Sequence, residues 1–284
     1  MQSGDAYMQF NMSWSKYRDI EAVLQDHESL LRWSQDEVVL DAGCGPGDVT
    51  HNVLLPFLPD AAVKHLVGVD ISPSMKEHGY KNFPHPKLIF DTFDLAQDDV
   101  TKLTQDPRLQ AGFDKIFSFY VLNWIPDLKS ALRNIHALLK PGGQSLFWFP
   151  ANCNYCQRAY IEVQKRQPWS RILQGLEREM SPSFGKDPAG EFEEVLKEVG
   201  FKVITCKFVT TDYEFNNLNG WKNLVESMDK HFSKIPADLK EQYLEECVDV
   251  MRKDNVLQEL DDGKVLVLHK MISAFIEKED QLNI

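Results

Sequence analysis

The stretch from residue 38 to residue 50 contains an apolar run that ends in Asp41, followed by glycine at positions 43, 45 and 47. A strand that ends in this way before a helix can bring bare backbone close to a nucleotide-like ligand, because a Cβ would block the ligand or the tight turn. A second apolar run ends in Asp70, where a carboxylate can accept hydrogen bonds from both hydroxyls of a ribose. Together the two runs indicate a site for an adenosine-containing cofactor.

Three details favour S-adenosylmethionine (SAM) over a dinucleotide. Asp41 directly precedes the glycines, where a carboxylate attracts a cationic amino and sulfonium group but would repel a pyrophosphate. Asp48 stands where the dinucleotide fingerprint has its third glycine. Asp94 follows the third predicted strand and is placed to accept from an adenine amino group. Two alternatives stay open: a nicotinamide cofactor, and turn or helix-capping roles for these acids, with other nearby aspartates competing for the role of Asp94.

Strands and helices alternate from residue 38 to about residue 150. The predicted strands are 38–41, 66–70, 87–91, 113–119 and 143–150, and the predicted helices are 47–57, 73–81, 96–105 and 128–139. Two later strands, 201–211 and 265–276, extend the sheet at one edge. The pattern predicts an α/β fold of the Rossmann-like, doubly wound type, with a mostly parallel seven-stranded sheet. Ligands of such sheets bind at the carboxyl ends of the strands.

The chain is predicted to have three parts. Residues 1–35 have apolar residues at helical spacing and form an N-terminal helical cap on the larger body. Residues 36–150 form the SAM-binding core. Residues 151–284 contribute a helical insertion on the substrate side and a C-terminal part that completes the sheet. A homodimer through the later strands is compatible with this arrangement, although no feature of the sequence requires it.

Composition and charge exclude several classes of partner. The chain has 284 residues, a net charge of −12 and a pI of about 5.1, and such an acidic surface repels nucleic acid and anionic membranes. The five cysteines lack framework spacing, and Cys153 and Cys156 have no second pair at zinc-ligand spacing, so free thiols and no metal site are expected. With no apolar run near the ~20 residues of a membrane span and no signal peptide, the sequence predicts a soluble cytoplasmic protein.

Further motifs accompany the glycine segment and Asp70. Together with Phe113–Ser118 and Leu138–Gly143, they resemble the class I SAM-dependent methyltransferases over residues 36–150. A second set of motifs comprises Tyr7, Asn11, Phe117–Trp124, Leu128–Ile135, Met180–Pro182 and Ile235–Leu239. This set is similar to the juvenile hormone acid methyltransferases of arthropods, and the similarity covers almost the whole chain.

That family methylates the carboxylate of farnesoic acid or juvenile hormone acid. The resemblance therefore implies SAM as cofactor and a small hydrophobic carboxylic acid as substrate. It also implies that Trp124 lines the carboxylate pocket and donates its indole N–H, while the N-terminal helix closes over SAM. Two positions depart from the family pattern: Asn123 replaces a histidine, and a carboxylate-positioning glutamine has no counterpart near Lys16. Lys16 and Asn123 are the residues able to replace the lost hydrogen bond.

The expected site has three sets of residues. Trp124 and Asn123 form the catalytic set. Contacts with the acceptor are expected from Trp14, Tyr120 and Trp124. Contacts with the cofactor are expected from Asp41, Gly43, Cys44, Gly45, Gly47, Asp70, Ile71, Asp94, Leu95 and Ser118.

Methyl transfer to a carboxylate is an in-line displacement that needs no general base, since a model carboxyl has a pKa of about 4.3 and is ionised at neutral pH. A hydroxyl or amine acceptor more often uses a base, and the histidines show no obvious pairing with an acid near the strand ends. The sequence therefore favours a carboxylate acceptor. The alternatives are another small acceptor, such as an amine or a phenol, and a ligand-binding relative without turnover. The intact set Asp41, Gly43, Gly45 and Asp70 argues against a loss of turnover.

Overall fold

The structure is a computed structural model that describes residues 14–151, 155–176, 184–229 and 231–279. Its strands are β1 (Glu37–Ala42), β2 (Val63–Asp70), β3 (Leu88–Thr92), β4 (Phe113–Phe119), β5 (Leu139–Pro150), β6 (Phe201–Phe215), β7 (Leu257–Glu259) and β8 (Val265–Lys278). Within the described ranges they form one eight-stranded sheet in the order β3-β2-β1-β4-β5-β8-β6, and β7 pairs with β8 outside that path.

The first five strands run parallel, and β8 lies antiparallel between β5 and β6. The Rossmann-like α/β fold is thereby confirmed, together with the extension of the sheet by the two later strands. The predicted count of seven strands is wrong by one, because the sequence interpretation missed β7. This strand has three residues, of which only Leu257 is buried, and it follows a turn at Asn255 with a φ of 55°. Three residues are too few to show an alternating pattern.

The helices of the described ranges are α1 (Trp14–His27), α2 (Leu55–Phe57), α3 (Pro73–Asn82), α4 (Thr101–Thr104), α5 (Leu128–Leu138), α6 (Tyr155–Gln164), α7 (Trp169–Ile172), α8 (Pro188–Val199), α9 (Leu218–Met228) and α10 (Lys240–Lys253). A π-helical segment, Thr50–Leu54, leads into α2. Short 3₁₀ turns lie at Glu28–Leu30, Leu122–Trp124, Phe232–Lys234 and Ala237–Leu239. None of the helices in these ranges combines the length and the apolar composition needed to cross a membrane.

The helix predicted at 96–105 is much shorter in the structure, because aspartate side chains bind the backbone of that region. One carboxylate oxygen of Asp94 accepts from the N–H groups of Ala96 and Gln97, and Asp99 accepts from Thr101 N. Such local bonds offer the backbone an alternative to helical bonds. Only α4 remains helical.

Both faces of the sheet are buried. Leu40 and Ile116 belong to one core, and their chain neighbours Val39 and Phe117 belong to the core on the opposite face. Successive side chains of a strand point to opposite faces, so a strand covered on both sides is apolar at every position. This explains why the sequence shows continuous apolar runs rather than an alternating pattern.

A third buried cluster lies in the C-terminal part, among α6, α7, α9, α10 and the adjoining ends of β6 and β8. Its largest side chains are Tyr160, Trp169, Trp221 and Tyr243. Tyr120, the residue after β4, packs against this cluster and also against the core under α1. The helical part of the chain therefore lies beside the carboxyl ends of the parallel strands.

The N-terminal helix α1 covers the sheet near β6. Its apolar residues Ile20, Val23 and Leu24 are buried in the same core as Trp148 and Phe275. Polar contacts fix both ends of the helix against β6: His27 Nε2 lies 3.3 Å from Thr205 Oγ1, and Ser15 Oγ accepts from Glu214 N at 3.1 Å. The helix thus runs along β6 and reaches the carboxyl ends of the sheet with its first turns.

Candidate active site

The turn after β1, residues 43–47, is called the glycine loop. Its glycines at 43, 45 and 47 have φ angles of 88°, 55° and 92°, in the region that side chains of L-residues rarely adopt. The N–H groups of Gly43 and Cys44 both donate to Val69 O at 2.8 Å. These two bonds fasten the loop to the end of β2, and so bring the carboxyl ends of β1 and β2 together.

The three glycines are needed for different reasons. A Cβ on Gly43 would lie 2.2 Å from Val121 Cγ2, and a Cβ on Gly47 would lie 2.8 Å from Phe90 Cε1. These two glycines allow other side chains to pack against the loop. A Cβ on Gly45 would meet no atom within 4 Å, so the bare backbone of Gly45 borders open space.

Asp41 lies at the end of β1 and is fully buried. Its carboxylate accepts a hydrogen bond from Thr50 Oγ1 at 2.6 Å. Burial, together with the nearby negative charges of Asp48 and Asp70, raises the pKa of Asp41 to about 7, while Thr50 and Lys16 act in the opposite direction. At neutral pH this carboxyl group is therefore close to its titration midpoint and is sensitive to a cation placed beside it.

Asp70, at the end of β2, lies directly opposite the glycine loop. One of its oxygens accepts from Gly45 N at 3.1 Å, and the other accepts from Ser72 N at 2.9 Å. Partial burial raises the pKa of Asp70, and both backbone donors lower it. The next residue, Ile71, has 51% of its surface exposed, which is unusual for an apolar side chain at the edge of a site.

The other predicted cofactor residues lie on β4, in the glycine loop and in the turn after β3. Ser118 Oγ donates to Ala42 O at 2.9 Å and braces the end of β1 from β4. The Cys44 thiol is buried and contacts Gly45 O, and burial raises its pKa well above the usual value. Leu95 is buried in the core, and the Asp94 carboxylate accepts from the backbone of its own turn.

Helix α1 joins the glycine loop through Asp48. Lys16 Nζ lies 2.9 Å from Asp48 Oδ2, and the Tyr17 hydroxyl donates to the same oxygen at 2.8 Å. Both members of the ion pair are buried. Burial, the charge of Asp48 and the hydrogen bond to Asp48 raise the pKa of Tyr17. The sequence interpretation offered Lys16 as a hydrogen-bond donor to the acceptor. In the structure, Lys16 instead forms an ion pair with Asp48.

Replacement of Lys16 with methionine is expected to destabilise the protein by about 3 kcal/mol, because it leaves the buried Asp48 carboxylate without its cation. Denaturant titration of the variant measures this loss. The matched control is Lys129→Met, which breaks an exposed ion pair with Glu198 and is expected to cost less than about 1 kcal/mol. Equal effects of the two substitutions would contradict a buried, stabilising Lys16–Asp48 pair.

The segment of residues 120–124 follows β4 at the carboxyl end of the sheet. Tyr120 has a φ of 61° and donates its N–H to Trp148 O at 2.7 Å. Val121 packs against Gly43, so the segment touches the glycine loop directly. The remaining residues form a 3₁₀ turn in which Trp124 N donates to Val121 O at 2.8 Å.

Asn123 and Trp124 form a hydrogen-bonded pair within this segment. When the amide is oriented so that both of its groups are satisfied, Asn123 donates to Tyr120 O at 3.3 Å and accepts from Trp124 Nε1 at 3.2 Å. Asn123 is 2% exposed, whereas Trp124 is 42% exposed. In this orientation of the amide, the indole N–H that the family resemblance assigns to a substrate carboxylate is donated to Asn123.

Several residues near the 120–124 segment were missed by the sequence interpretation. The Tyr120 hydroxyl donates to Asp19 Oδ2 at 3.3 Å, and its ring packs edge-on against Tyr213, with 6.0 Å between centroids. The His269 ring lies 4.8 Å from the Tyr213 ring, and burial lowers the pKa of His269 to about 4. No sequence signal links these residues, because they belong to α1, the segment after β4, β6 and β8.

Some of the predicted positions lie outside the described residues. These are Tyr7, Asn11 and the motif Met180–Pro182, together with Cys153 of the cysteine pair. Trp14 is the first residue of α1. Its expected contact with the acceptor stays a prediction.

Comparison with known proteins identifies the family of this chain. Residues 17–206 match the family described as a methyltransferase domain. A juvenile hormone acid O-methyltransferase of Drosophila melanogaster is 30% identical over 267 residues, which cover 92% of this chain and 87% of the relative. The enzyme of the same name from Bombyx mori is 30% identical over 285 residues, covering 98% of each chain.

A solved structure shows the same fold. The SAM-dependent methyltransferase from Anabaena variabilis ATCC 29413 superimposes with a TM-score of 0.57 at 14% identity, covering 98% of this chain and 96% of the other. This likeness confirms the Rossmann-like fold, and the family match confirms SAM as the cofactor. The chain belongs to the class I SAM-dependent methyltransferases, in the family of the juvenile hormone acid O-methyltransferases.

Proposed function

We propose that this O-methyltransferase transfers the methyl group of SAM to the carboxylate of a small hydrophobic acid, of the farnesoic acid or juvenile hormone acid type, and so forms a methyl ester. One contact carries the proposal: Val121 packs against Gly43, and this joins the segment that contains the exposed Trp124 to the glycine loop. Residues 120–124 are therefore called the acceptor segment. The names of the Drosophila and Bombyx relatives support the same class of acceptor.

The glycine loop fits SAM in shape and charge. Gly45 borders open space, and its N–H helps to hold the Asp70 carboxylate at the rim of that space. We assign the ribose to Asp70 and the cationic methionine end to Asp41, which lies in a region of negative charge. Ile71 is proposed to cover the adenine with its exposed side chain. When bound, SAM supplies an electrophilic methyl group.

The task of the protein's own residues is to orient the carboxylate and to exclude water. Trp124 offers an apolar ring and one N–H donor. In the structure that donor is held by the neutral amide of Asn123, and a carboxylate is a stronger acceptor than an amide. We therefore propose that the substrate carboxylate takes over the indole N–H, while Asn123 fixes the orientation of the ring.

A second candidate function is methylation of a phenol or another hydroxyl, and His269 is the observation that favours it. This ring packs on Tyr213, which in turn packs on Tyr120 of the acceptor segment. With a pKa of about 4 the imidazole is neutral at pH 7, so it is able to accept a proton, although as a weak base.

The test is a transfer assay with tritiated methyl groups on SAM against farnesoic acid, a medium-chain fatty acid and a phenol. Product from an acid that releases radioactive methanol on alkaline hydrolysis identifies a methyl ester and supports the proposal. Alkali-stable product from the phenol alone would overturn it. His269→Gln separates the two functions, since it should leave ester formation within about twofold and abolish transfer to a phenol.

The affinity for SAM is expected to depend on the ionisation of Asp41. Below its pKa of about 7 the carboxyl is neutral and loses its attraction for a cation, so binding weakens as the pH falls. For one such group, the Kd should rise roughly eightfold between pH 7.5 and pH 6.0. Titration calorimetry at both pH values measures this change. Asp41→Asn is the control and should bind weakly with little pH dependence; an unchanged pH dependence in this variant would assign the effect to another group.

A further inference from the structure

Asp19 of α1 is a buried carboxylate that lies between the helix, β6 and the acceptor segment. Its Oδ2 accepts from Thr211 Oγ1 at 2.9 Å and from the Tyr120 hydroxyl at 3.3 Å. Its Oδ1 accepts from Arg18 Nη2 at 2.9 Å. Three different elements therefore donate to one carboxylate, and this is the arrangement by which a protein keeps a buried charge stable.

Tyr120 has a backbone conformation that is rare for an aromatic residue. Its φ of 61° lies in the left-handed region, which bulky side chains avoid. Such strain persists only where the surroundings fix it, and it concentrates at functional sites. Here the fixed contacts are the bond from Tyr120 N to Trp148 O, the packing on Tyr213 and the bond from the hydroxyl to Asp19.

Hydrogen bonds continue from Tyr120 to the indole of Trp124. With the Asn123 amide oriented so that both of its groups are satisfied, the carbonyl oxygen of Tyr120 accepts from this amide, and the amide oxygen accepts from Trp124 Nε1. A connected path therefore runs from Asp19 through Tyr120 and Asn123 to the group proposed to meet the acceptor. A shift of Tyr120 at the start of this path would move the indole at its end.

The same helix also holds the cofactor side of the site. Lys16 and Tyr17, in the same turn as Asp19, both bind Asp48 next to the glycine loop. One turn of α1 is thus in contact with both segments that must be aligned for methyl transfer.

We propose that Asp19 is a positioning residue for the methyl acceptor: through Tyr120 it fixes the acceptor segment, and with it the orientation of Trp124, relative to the glycine loop. The inference rests on the proposed function for the identity of the acceptor, but the orientation of Trp124 can be measured without any acceptor. The alternative is that Asp19 only anchors α1 to β6 through Thr211.

The first experiment labels the chain with 5-fluorotryptophan and records the fluorine NMR spectrum of the SAM-bound protein. The chain has six tryptophans, and the resonance lost in Trp124→Phe identifies Trp124. We expect Asp19→Ala and Tyr120→Phe to shift or broaden this resonance in the same way, and the double variant to add little. Thr211→Val removes the anchor of Asp19 to β6 and keeps the bond from Tyr120 to Asp19, so it should leave the Trp124 resonance unshifted.

Asp212→Ala is the matched control. Asp212 is an aspartate that also pairs with Arg18, and its bonds in the structure are to Arg18 rather than to Tyr120. Circular dichroism and the Kd for SAM show whether each variant is folded. In all variants the spectrum should match that of the parent protein, and the Kd should stay within twofold of the parent value. Tyr120→Phe serves as the second test if Asp19→Ala is unstable.

The second experiment measures kinetics with the acid that the parent enzyme methylates best. Asp19→Ala and Tyr120→Phe should each lower kcat/KM for the acid about tenfold, and the double variant should lose no more than about tenfold in total. An unmoved Trp124 resonance in Asp19→Ala, or additive losses in the double variant, would overturn the proposal. If no acid is methylated while the resonance still shifts, the proposed function fails and the positioning role stands.

Discussion

Replacement of Gly43 with alanine should abolish measurable SAM binding and destabilise the protein. The new methyl group would lie 2.2 Å from Val121 Cγ2, 2.5 Å from Val121 Cγ1 and 2.9 Å from Val121 Cβ. The φ of 88° is in addition strained for any residue with a Cβ. Overpacking and backbone strain together are expected to cost about 3 kcal/mol of unfolding free energy. The loop can relieve the contact only by moving, which displaces the N–H groups of Gly43 and Cys44 from Val69.

Titration calorimetry with SAM and a denaturant titration measure the two effects, and we expect the Kd to rise at least 100-fold. One further variant separates overpacking from backbone strain. Val121→Gly in the Gly43→Ala background removes the three close contacts and should restore part of the stability, since only the strain of φ remains. Normal SAM binding by Gly43→Ala alone would show that the loop is not part of the cofactor site.

Gly45→Ala tests the open face of the same loop. Its Cβ would meet no protein atom within 4 Å, and a φ of 55° is tolerated by alanine at a cost of about 1 kcal/mol. The fold should therefore survive, while the affinity for SAM should fall more than tenfold because the methyl group enters the space assigned to the cofactor. A stable variant with unchanged affinity would place the ligand on another face of the loop.

Replacement of Trp124 with alanine should lower kcat/KM for the acid acceptor on the order of 100-fold, with little change in the Kd for SAM. The side chain is 42% exposed and follows Val121, which contacts Gly43, by three residues, so its loss should remove orientation of the acceptor without unfolding the protein. Steady-state kinetics with the methylated acid, alongside calorimetry with SAM, separate these two expectations.

Two variants define what Trp124 contributes. Trp124→Phe keeps an aromatic ring and removes the N–H donor, so a loss close to that of alanine would identify the hydrogen bond as the main contribution. Phe208→Ala is the matched control, because Phe208 on β6 is also 42% exposed, and strands β5 and β8 separate β6 from β4, which the acceptor segment follows. If Phe208→Ala lowered activity as much as Trp124→Ala, the effect would not be specific to the proposed pocket.

The proposed cofactor half of the site was accessible from the sequence because its parts are close in the chain. Asp41 and the three glycines occupy one turn, and Asp70 ends the next strand. The alternation of strands and helices then requires a parallel sheet, whose carboxyl ends bring these two turns together. The same logic fails for β7 and for the helix predicted at 96–105. Strand β7 has only three residues, too few to show an alternating pattern. In the region 96–105, aspartate side chains compete with helical hydrogen bonds for the backbone N–H groups.

The acceptor half depended on contacts between distant parts of the chain. The bond from Tyr120 to Asp19 spans 101 positions, and that from Thr211 to Asp19 spans 192. Lys16 illustrates the difficulty: a charged residue on an amphipathic helix has many possible partners, and only the packing of α1 selected Asp48. The pairing of Asn123 with Trp124 depends on side-chain orientations that neighbouring residues in a sequence do not specify.

The sequence by itself therefore determined the fold class, the cofactor and the residues of the glycine loop, because strand period, glycine conformation and acid placement are local properties of the chain. The tertiary structure decided which side chains meet around the acceptor segment: Asp19, Tyr213 and His269 come from three elements that only the folded sheet and α1 bring together. Long-range contacts of this kind depend on how whole elements pack, and packing is set by the summed burial of many side chains rather than by any one motif.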